Sequence, residues 1–166
     1  LSEKDVQGII GGLTKSWGEE DILEQKRGCD GAVNFDDKWR FRIGIFYQQG
    51  RPALVVRKIN LQMLSFESLN LPKTVLENLC HERRGLILAV GMTGSGKSTT
   101  IASMIEYINH NFKRHIVTIE EPIEYIFKDK KSTISQREIG RDVCDYEDAL
   151  KQMATLSADV LMVGDI

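Results

Sequence analysis

The sequence has few cysteines, no long apolar run and little net charge, and each of these absences argues against a class of protein. Its 166 residues include three cysteines, Cys29, Cys80 and Cys144, which are scattered and form no C-x-x-C pair. We expect reduced thiols in a cytosolic protein, none of them a good nucleophile or metal ligand. No apolar run approaches the roughly 20 residues of a membrane span, and no N-terminal signal segment is visible. The net charge of −2 gives no reason to expect nucleic acid or an anionic membrane as a partner.

Both ends of the sequence look cut. It starts at Leu1 without a methionine and stops at Ile166, directly after an apolar strand pattern. We therefore expect a piece of a longer protein. The 42% apolar and 28% charged residues are ordinary for a globular chain, and the length suits one large domain or two small ones.

The first part of the chain mixes helical and strand patterns. Residues 2 to about 27 have helical spacing, with a second short helix expected over 20–25. Strands are predicted over 31–36, 40–48 and 53–59, and the last two make a hairpin around a turn over residues 49–52, Gln-Gly-Arg-Pro. Residues 60–71 have no sustained period and indicate a linker.

Beyond this linker, helices and apolar strands alternate. Helices are predicted over 73–83, 98–110 and 145–156. Strands are predicted over 85–90, 115–119 and 159–163, and two short strand-like pieces over 123–127 and 132–135. Alternation of this kind predicts an α/β fold, in which a parallel sheet is covered by helices on both faces.

The segment from Gly91 to Ser98 fits the phosphate-binding loop pattern G-x-x-x-x-G-K-[ST]. In such a loop the glycines let backbone N–H groups surround the β-phosphate, Lys97 reaches the β- and γ-phosphate oxygens, and the Ser98 hydroxyl holds Mg²⁺. A strand pattern precedes the loop and a helical pattern follows it, which places the phosphates at a helix N-terminus. The sequence therefore predicts binding of a nucleoside triphosphate with Mg²⁺. The candidate nucleotide-binding residues are Gly91, Thr93, Gly94, Ser95, Gly96, Lys97, Ser98 and Thr99.

Acidic residues follow two of the predicted strands. Glu120 and Glu121 come after the strand over 115–119, and Asp165 comes after the strand over 159–163. Ligands of such sheets lie beyond the carboxyl ends of the strands, where an ATPase needs one carboxylate for the attacking water and one for the metal. We predict that Asp165 joins Ser98 at the metal and that an acid after the first strand is catalytic. The alternative is that Glu120 and Glu121 only initiate a polar turn.

Four motifs in order resemble the secretion ATPase superfamily, the hexameric motors of type IV pili and type II secretion. They are Gly85-Leu-Ile-Leu, the phosphate loop with the two threonines after it, the stretch from His115 to Tyr125, and the stretch from Ser135 to Gly140. The similarity is strongest to the pilus retraction, or twitching motility, branch. It covers nearly the whole chain from about Val33 onward.

The resemblance implies two domains. A small α+β, PAS-like domain would occupy residues 1–66, and the first half of a RecA-like P-loop ATPase domain would occupy 67–166. Glu120 is implied to be the catalytic carboxylate, with Lys97 beside the phosphates. Arginines of the N-terminal domain are implied to reach the γ-phosphate when the domains close. Arg42 and Arg57 fit this role, with Arg40 as a substitute for Arg42, because guanidinium groups neutralise charge on the phosphoryl oxygens.

The same resemblance implies an enzyme and its partners. We expect a Mg²⁺-dependent ATPase that is a homo-hexamer in its full-length form, while the 166 residues alone are expected to be inactive. It would be cytoplasmic and held at the inner membrane by the platform protein of a pilus or secretion machine, without direct contact to nucleic acid. Retraction, assembly, secretion and DNA uptake all stay open at this point.

Departures from the family pattern support a second hypothesis. Asp165 stands where the family usually has Glu, and Thr155 and Ala158 stand where Arg and Pro are expected. These residues indicate a divergent paralogue, so an accessory subunit that hydrolyses ATP weakly or not at all is the alternative. An unrelated P-loop kinase or GTPase is a third hypothesis, which the absence of a guanine-binding N-K-x-D motif disfavours.

Overall fold

A computed structural model describes residues 2–18, 27–35, 39–60 and 65–164. The chain divides into two compact units, residues 1–62 and 63–166, and each is described by itself. Among the described residues, none of the helices has the length and apolar content needed to cross a bilayer.

The described residues of the first unit form a helix and a three-stranded antiparallel sheet. Helix α1 spans Glu3–Trp17, and the strands in spatial order are β1 (Gly28–Asn34), β2 (Trp39–Gln48) and β3 (Arg51–Asn60). The predicted hairpin is confirmed. Gln49 and Gly50 have φ values of +50° and +76° between the paired strands, as the favoured two-residue hairpin turn requires. The helix predicted over 20–25 lies outside the described residues.

The core of this unit lies between α1 and one face of the sheet. Ile10 from the helix packs with Ile43 and Ile45 of β2, and all three are buried. Trp17 covers Gly31 so closely that a Cβ at Gly31 would lie 2.5 Å from a carbon of the indole ring. The opposite face of the sheet carries Arg42 and Arg57, since side chains alternate along a strand.

The second unit is an α/β layer structure, as the alternating pattern predicts. It contains, in chain order, α2 (Lys73–His81), α3 (Lys97–Asn111), β4 (His115–Glu120), β5 (Thr133–Glu138), α4 (Tyr146–Leu156) and β6 (Val160–Val163). The three strands are parallel in the order β5-β4-β6, so β4 is central. Residues 116–119 of β4 are 0% exposed because helices cover both faces of the sheet.

Side chains of β4 point alternately into two cores. Ile116 packs with residues of α2 and α3, including Cys80 and Ile105. Ile119 packs on the other side, against Val143 and Ala149. Thr118 and Glu120 share the α3 side with Ile116, because residues two apart in a strand face the same way. This alternation brings Glu120 towards the start of α3.

Two predicted strands are wrong. The segment 85–90 is irregular, and Leu86, Leu88 and Val90 are 81%, 68% and 89% exposed. Apolar composition produces a strand only where a neighbouring strand supplies hydrogen bonds, and no described strand pairs with this segment.

The segment 123–127 is likewise irregular, for a different reason. Its backbone N–H groups bind side chains instead of a neighbouring strand. Ile123 donates to Glu138 Oε2, and Phe127 donates to Gln136 Oε1. The nearby strand β5 also begins one residue later and continues further than the prediction over 132–135, from Thr133 to Glu138.

Candidate functional site

The predicted phosphate loop lies directly before α3. Gly94 and Gly96 have φ values of +79° and +92°, a region that glycine enters without steric cost, and Gly96 is the N-cap residue of the helix. No side chain caps this N-terminus, and the first turn holds no acid. The backbone N–H groups here are therefore available to an anion, which the positive end of the helix dipole also favours.

Lys97 lies at the mouth of the loop. Its Nζ donates hydrogen bonds to the backbone carbonyls of Gly91 and Met92, at 3.2 and 3.3 Å. These bonds hold the ammonium over the loop, where phosphate oxygens can take the place of the two carbonyls. At Gly91 an added Cβ would lie 2.7 Å from Ser95 Oγ, so a side chain there would require the Ser95 hydroxyl to move.

One open cleft brings together residues from both predicted parts of the site. It has about 430 Å³ of empty space. Ser98 from the first turn of α3 lines it, together with Glu120 and Glu121 from the end of β4 and Gly164 from the end of β6. Asp165, the predicted second metal residue, lies outside the described residues. The cleft is thus formed where the sheet's carboxyl edge meets the phosphate loop.

Glu120 is buried in this cleft, at 5% exposure. Its Oε1 accepts two hydrogen bonds, from Thr118 Oγ1 at 2.6 Å and from Gln136 Nε2 at 3.1 Å. Its Oε2 accepts a longer bond of 3.4 Å from the backbone N–H of Glu124. Oε2 is therefore the less engaged oxygen and the better acceptor for a proton from water.

Burial raises the pKa of Glu120, and the three hydrogen bonds to its carboxylate lower it. The effect of burial is larger, so the pKa lies above its usual value. Burial penalises the charged form of a carboxyl, whereas donors to the carboxylate stabilise that form. A general base is more effective when its pKa lies closer to the working pH. The environment of Glu120 therefore suits proton transfer better than that of an exposed glutamate.

Sequence reasoning gave no role to Thr118 or Gln136, although both bind Glu120. Alternation along β4 could have identified Thr118, since it shares a face with Glu120. Gln136 reaches Glu120 only because β5 pairs with β4 in parallel, with Gln136 beside Thr118. No local sequence pattern encodes that register.

Arg42 and Arg57 lie in the first unit, whereas the phosphate loop lies in the second. The two arginines are direct partners across β2 and β3, so their side chains leave the sheet side by side on the face opposite α1. Arg40, the predicted substitute for Arg42, is buried, and its Nη1 donates to Asn34 Oδ1 at 3.3 Å. A buried, hydrogen-bonded Arg40 is a poorer candidate to reach a ligand.

A phosphate loop that opens a helix on a parallel sheet, with an acid at the end of the neighbouring strand, is the arrangement of P-loop nucleoside triphosphatases. The second unit has that class of fold. Residues 10–166 match the family model described as Type II/IV secretion system protein. The chain belongs to this family.

Known relatives agree with this assignment. Over 166 residues the chain is 37% identical to the type IV pilus ATPase PilU of Pseudomonas aeruginosa, covering 100% of this chain and 43% of that protein. It is 39% identical over 166 residues to the type IV pilus retraction ATPase PilT of the same organism, covering 48% of it. A crystal structure of the pilus retraction motor PilT with bound ADP superposes with a TM-score of 0.83 at 47% identity, over 88% of this chain and 42% of that one. The chain thus spans less than half the length of these relatives.

Proposed function

We propose that the full-length protein binds and hydrolyses ATP with Mg²⁺ and drives the retraction of a type IV pilus as a motor subunit. The main observation behind this proposal is that Ser98 of the phosphate loop and the buried Glu120 line the same cleft. Relatives named as pilus ATPases supply the biological setting.

The residues present suit a bound nucleotide. The uncapped N-terminus of α3 and the ammonium of Lys97 would hold the β- and γ-phosphates. Ser98 and Asp165 would hold Mg²⁺, which would supply positive charge to neutralise the phosphates. The described residues contain no cluster of three or more side chains suited to hold a metal ion. Mg²⁺ usually keeps several waters and is held by one or two protein side chains together with phosphates.

Glu120 would act as the general base. Its Oε1 is held by two donors, which leaves Oε2 to accept a proton from the water that attacks the γ-phosphate. Burial raises the pKa of this carboxyl, which makes it a stronger proton acceptor once ionised. The neighbouring Glu121, although it lines the same cleft, is exposed and would contribute less.

Arg42 and Arg57 would supply positive charge to the γ-phosphate when the two domains, 1–66 and 67–166, close. Like charges directly opposite each other destabilise an antiparallel pair of strands. The Arg42–Arg57 pair carries such a cost, which a bound polyanion would relieve. Planar guanidinium groups also match the charge that spreads over phosphoryl oxygens during transfer.

The proposal includes a setting for the motor. The full-length protein would assemble as a homo-hexamer at the cytoplasmic face of the inner membrane, bound to the platform protein of the pilus machine. Nucleic acid would not be a direct partner, in keeping with a net charge of −2 and the absence of a basic excess.

Replacement of Lys97 tests the proposal. In the full-length protein, Lys97→Ala should abolish ATP binding or hydrolysis, because the loop backbone alone compensates the β- and γ-phosphates only in part. Lys151→Ala, which removes an exposed lysine on α4, is the matched control and should behave as wild type. Phosphate release and nucleotide affinity are measured with Mg²⁺, with and without a homologous motor. Wild-type turnover in Lys97→Ala would contradict the proposal, and turnover that requires the homologous motor would favour the accessory-subunit alternative.

A further inference from the structure

Both polar atoms of the Gln136 side-chain amide make hydrogen bonds. Its Nε2 donates to Glu120 Oε1 at 3.1 Å and to the backbone carbonyl of Tyr125 at 2.8 Å. Its Oε1 accepts from the backbone N–H of Phe127 at 2.8 Å. One amide on β5 therefore binds both the acid at the end of β4 and the irregular segment 122–128 that follows it.

These bonds restrict how the Glu120 carboxylate can turn. Thr118 and Gln136 both donate to Oε1, and they approach it from β4 and from the neighbouring strand β5. Two donors from different strands hold Oε1 in place and leave Oε2 with only the 3.4 Å bond from the N–H of Glu124. Glu120 lines the same cleft as Ser98. A single donor would leave the carboxylate free to rotate about its terminal torsion, which is broad for glutamate.

Gln136 also connects Glu120 to the phosphate loop. It holds the backbone of Tyr125, and the Tyr125 hydroxyl shares a 2.9 Å hydrogen bond with Thr99 Oγ1, two residues after Lys97. The amide thus lies between the acid and a residue that touches the first turn of α3. A shift of the carboxylate relative to the loop would have to break one of these bonds.

We propose that Gln136 is a positioning residue for hydrolysis, which fixes the Glu120 carboxylate with Oε2 towards the attacking water. This inference rests on the ATPase function proposed above. The hydrogen bonds of the Gln136 side chain go to Glu120, Tyr125 and Phe127 and not to the phosphate loop, so its effect should fall on turnover through Glu120 and not on nucleotide affinity.

The test is a double-mutant cycle in the full-length protein. Gln136→Met keeps the volume of the side chain and removes its polar atoms. The matched control is Asn109→Leu, since Asn109 is a second buried amide that binds the other end of the same segment. It donates to the carbonyl of Lys128 and accepts from the N–H of Lys130, without contact to Glu120. Each variant is made in wild type and in Glu120→Gln, and kcat, KM and ATP affinity are measured.

We expect Gln136→Met to lower kcat by about tenfold or more with little change in ATP affinity, as for loss of a hydrogen bond to a charged group. In the Glu120→Gln background the same change should alter the residual rate by less than about twofold, since Gln136 then holds an amide that cannot act as the base. Asn109→Leu should have the same effect in both backgrounds. A Gln136→Met effect that is equally large in both backgrounds would show a merely structural role and overturn the proposal, as would a wild-type kcat.

A second variant tests the proposal in case Gln136→Met does not fold. Gln136→Glu is isosteric and still accepts from Phe127, but when ionised it cannot donate to Glu120 and repels its charge. It should fold, bind ATP and lose turnover at least as severely as Gln136→Met, and normal turnover in this variant would overturn the proposal. Failure of the proposed function is distinguishable, because the wild-type protein would then release no phosphate from ATP, or Glu120→Gln alone would release it as fast as wild type.

Discussion

Replacement of Glu120 by glutamine isolates the charge of the carboxylate from its packing. Thr118 Oγ1 and Gln136 Nε2 both donate to Oε1, so the amide oxygen of the new side chain can occupy that position and keep both bonds. Its NH2 group then faces the N–H of Glu124, where the native bond is already long at 3.4 Å. The variant should therefore fold and bind Mg·ATP normally.

The expected loss of activity follows from the role of a general base. Such a base contributes about 10²–10⁴-fold to a rate, which corresponds to about 3–5 kcal/mol of transition-state stabilisation. Because the variant keeps the hydrogen bonds, the loss should come from the missing charge alone and reach on the order of 10²-fold or more. Phosphate release under saturating ATP measures it.

Glu121→Gln is the control, since Glu121 is the next residue along the chain and lines the same cleft. Its exposed side chain should matter less for turnover. Equal losses at Glu120 and Glu121 would mean that the base is misassigned. Loss of nucleotide affinity in Glu120→Gln would contradict the argument that only the proton acceptor changes.

The same variant predicts a pH dependence of stability. Burial raises the pKa of Glu120 in the folded protein above its usual value of 4.5, so the folded state keeps a proton that the unfolded chain has released. The contribution of this group to the free energy of unfolding therefore falls as pH rises from 4.5 through the raised pKa, and stays low above it. Glu120→Gln lacks this titration, so it should gain stability relative to wild type across that range. Urea unfolding at several pH values measures the difference, and a difference that is constant or shrinks with rising pH would refute the reasoning.

Arg42→Ala and Arg57→Ala should each lower kcat with a modest change in ATP affinity, because the charge is needed most in the transition state, and Lys at either position should not rescue fully. Steady-state kinetics of the full-length protein test this. A wild-type kcat in both variants would show that Arg42 and Arg57 have no catalytic role. Gly31→Ala should lower stability by about 1–3 kcal/mol, since its Cβ would lie 2.5 Å from the Trp17 ring. Gly12→Ala, in helix α1, is the matched change, with nothing within 4 Å of the new Cβ. It should raise stability by about 0.5–1 kcal/mol, because alanine lowers the conformational entropy of the unfolded chain. Urea unfolding distinguishes the two, and equal shifts would contradict the packing of Trp17 on β1.

Local sequence was enough to predict the parts of the site that are built from neighbouring residues. The predicted phosphate loop and the start of α3 form one continuous stretch, and its glycines adopt the positive φ values that such a loop uses. The roles of its lysine and serine remain predictions. Likewise, an apolar run followed by Glu120 predicted the buried strand β4, with an acidic residue at its carboxyl end. The hairpin was predictable for the same reason, because a turn signal over residues 49–52 separates two strand patterns, although the turn itself is shorter, at Gln49 and Gly50, and β3 begins at Arg51.

Features that depend on partners distant in sequence could not be predicted in the same way. The apolar segment 85–90 looks like a strand, yet strand formation needs a paired neighbour that composition does not reveal. The hydrogen bond from Gln136 to Glu120 depends on the register between β4 and β5. The segment 123–127 has strand-like composition but gives its N–H groups to side chains such as that of Gln136.

A structure of the full-length protein with Mg²⁺ and a non-hydrolysable ATP analogue tests the central claim most directly. We predict that the β- and γ-phosphates lie on the N-terminus of α3 within hydrogen-bonding distance of Lys97 Nζ. Mg²⁺ should contact Ser98 Oγ, and the carboxylate of Glu120 should face the γ-phosphate from the end of β4. Phosphates bound away from the loop, or a Glu120 side chain turned away from them, would contradict the account.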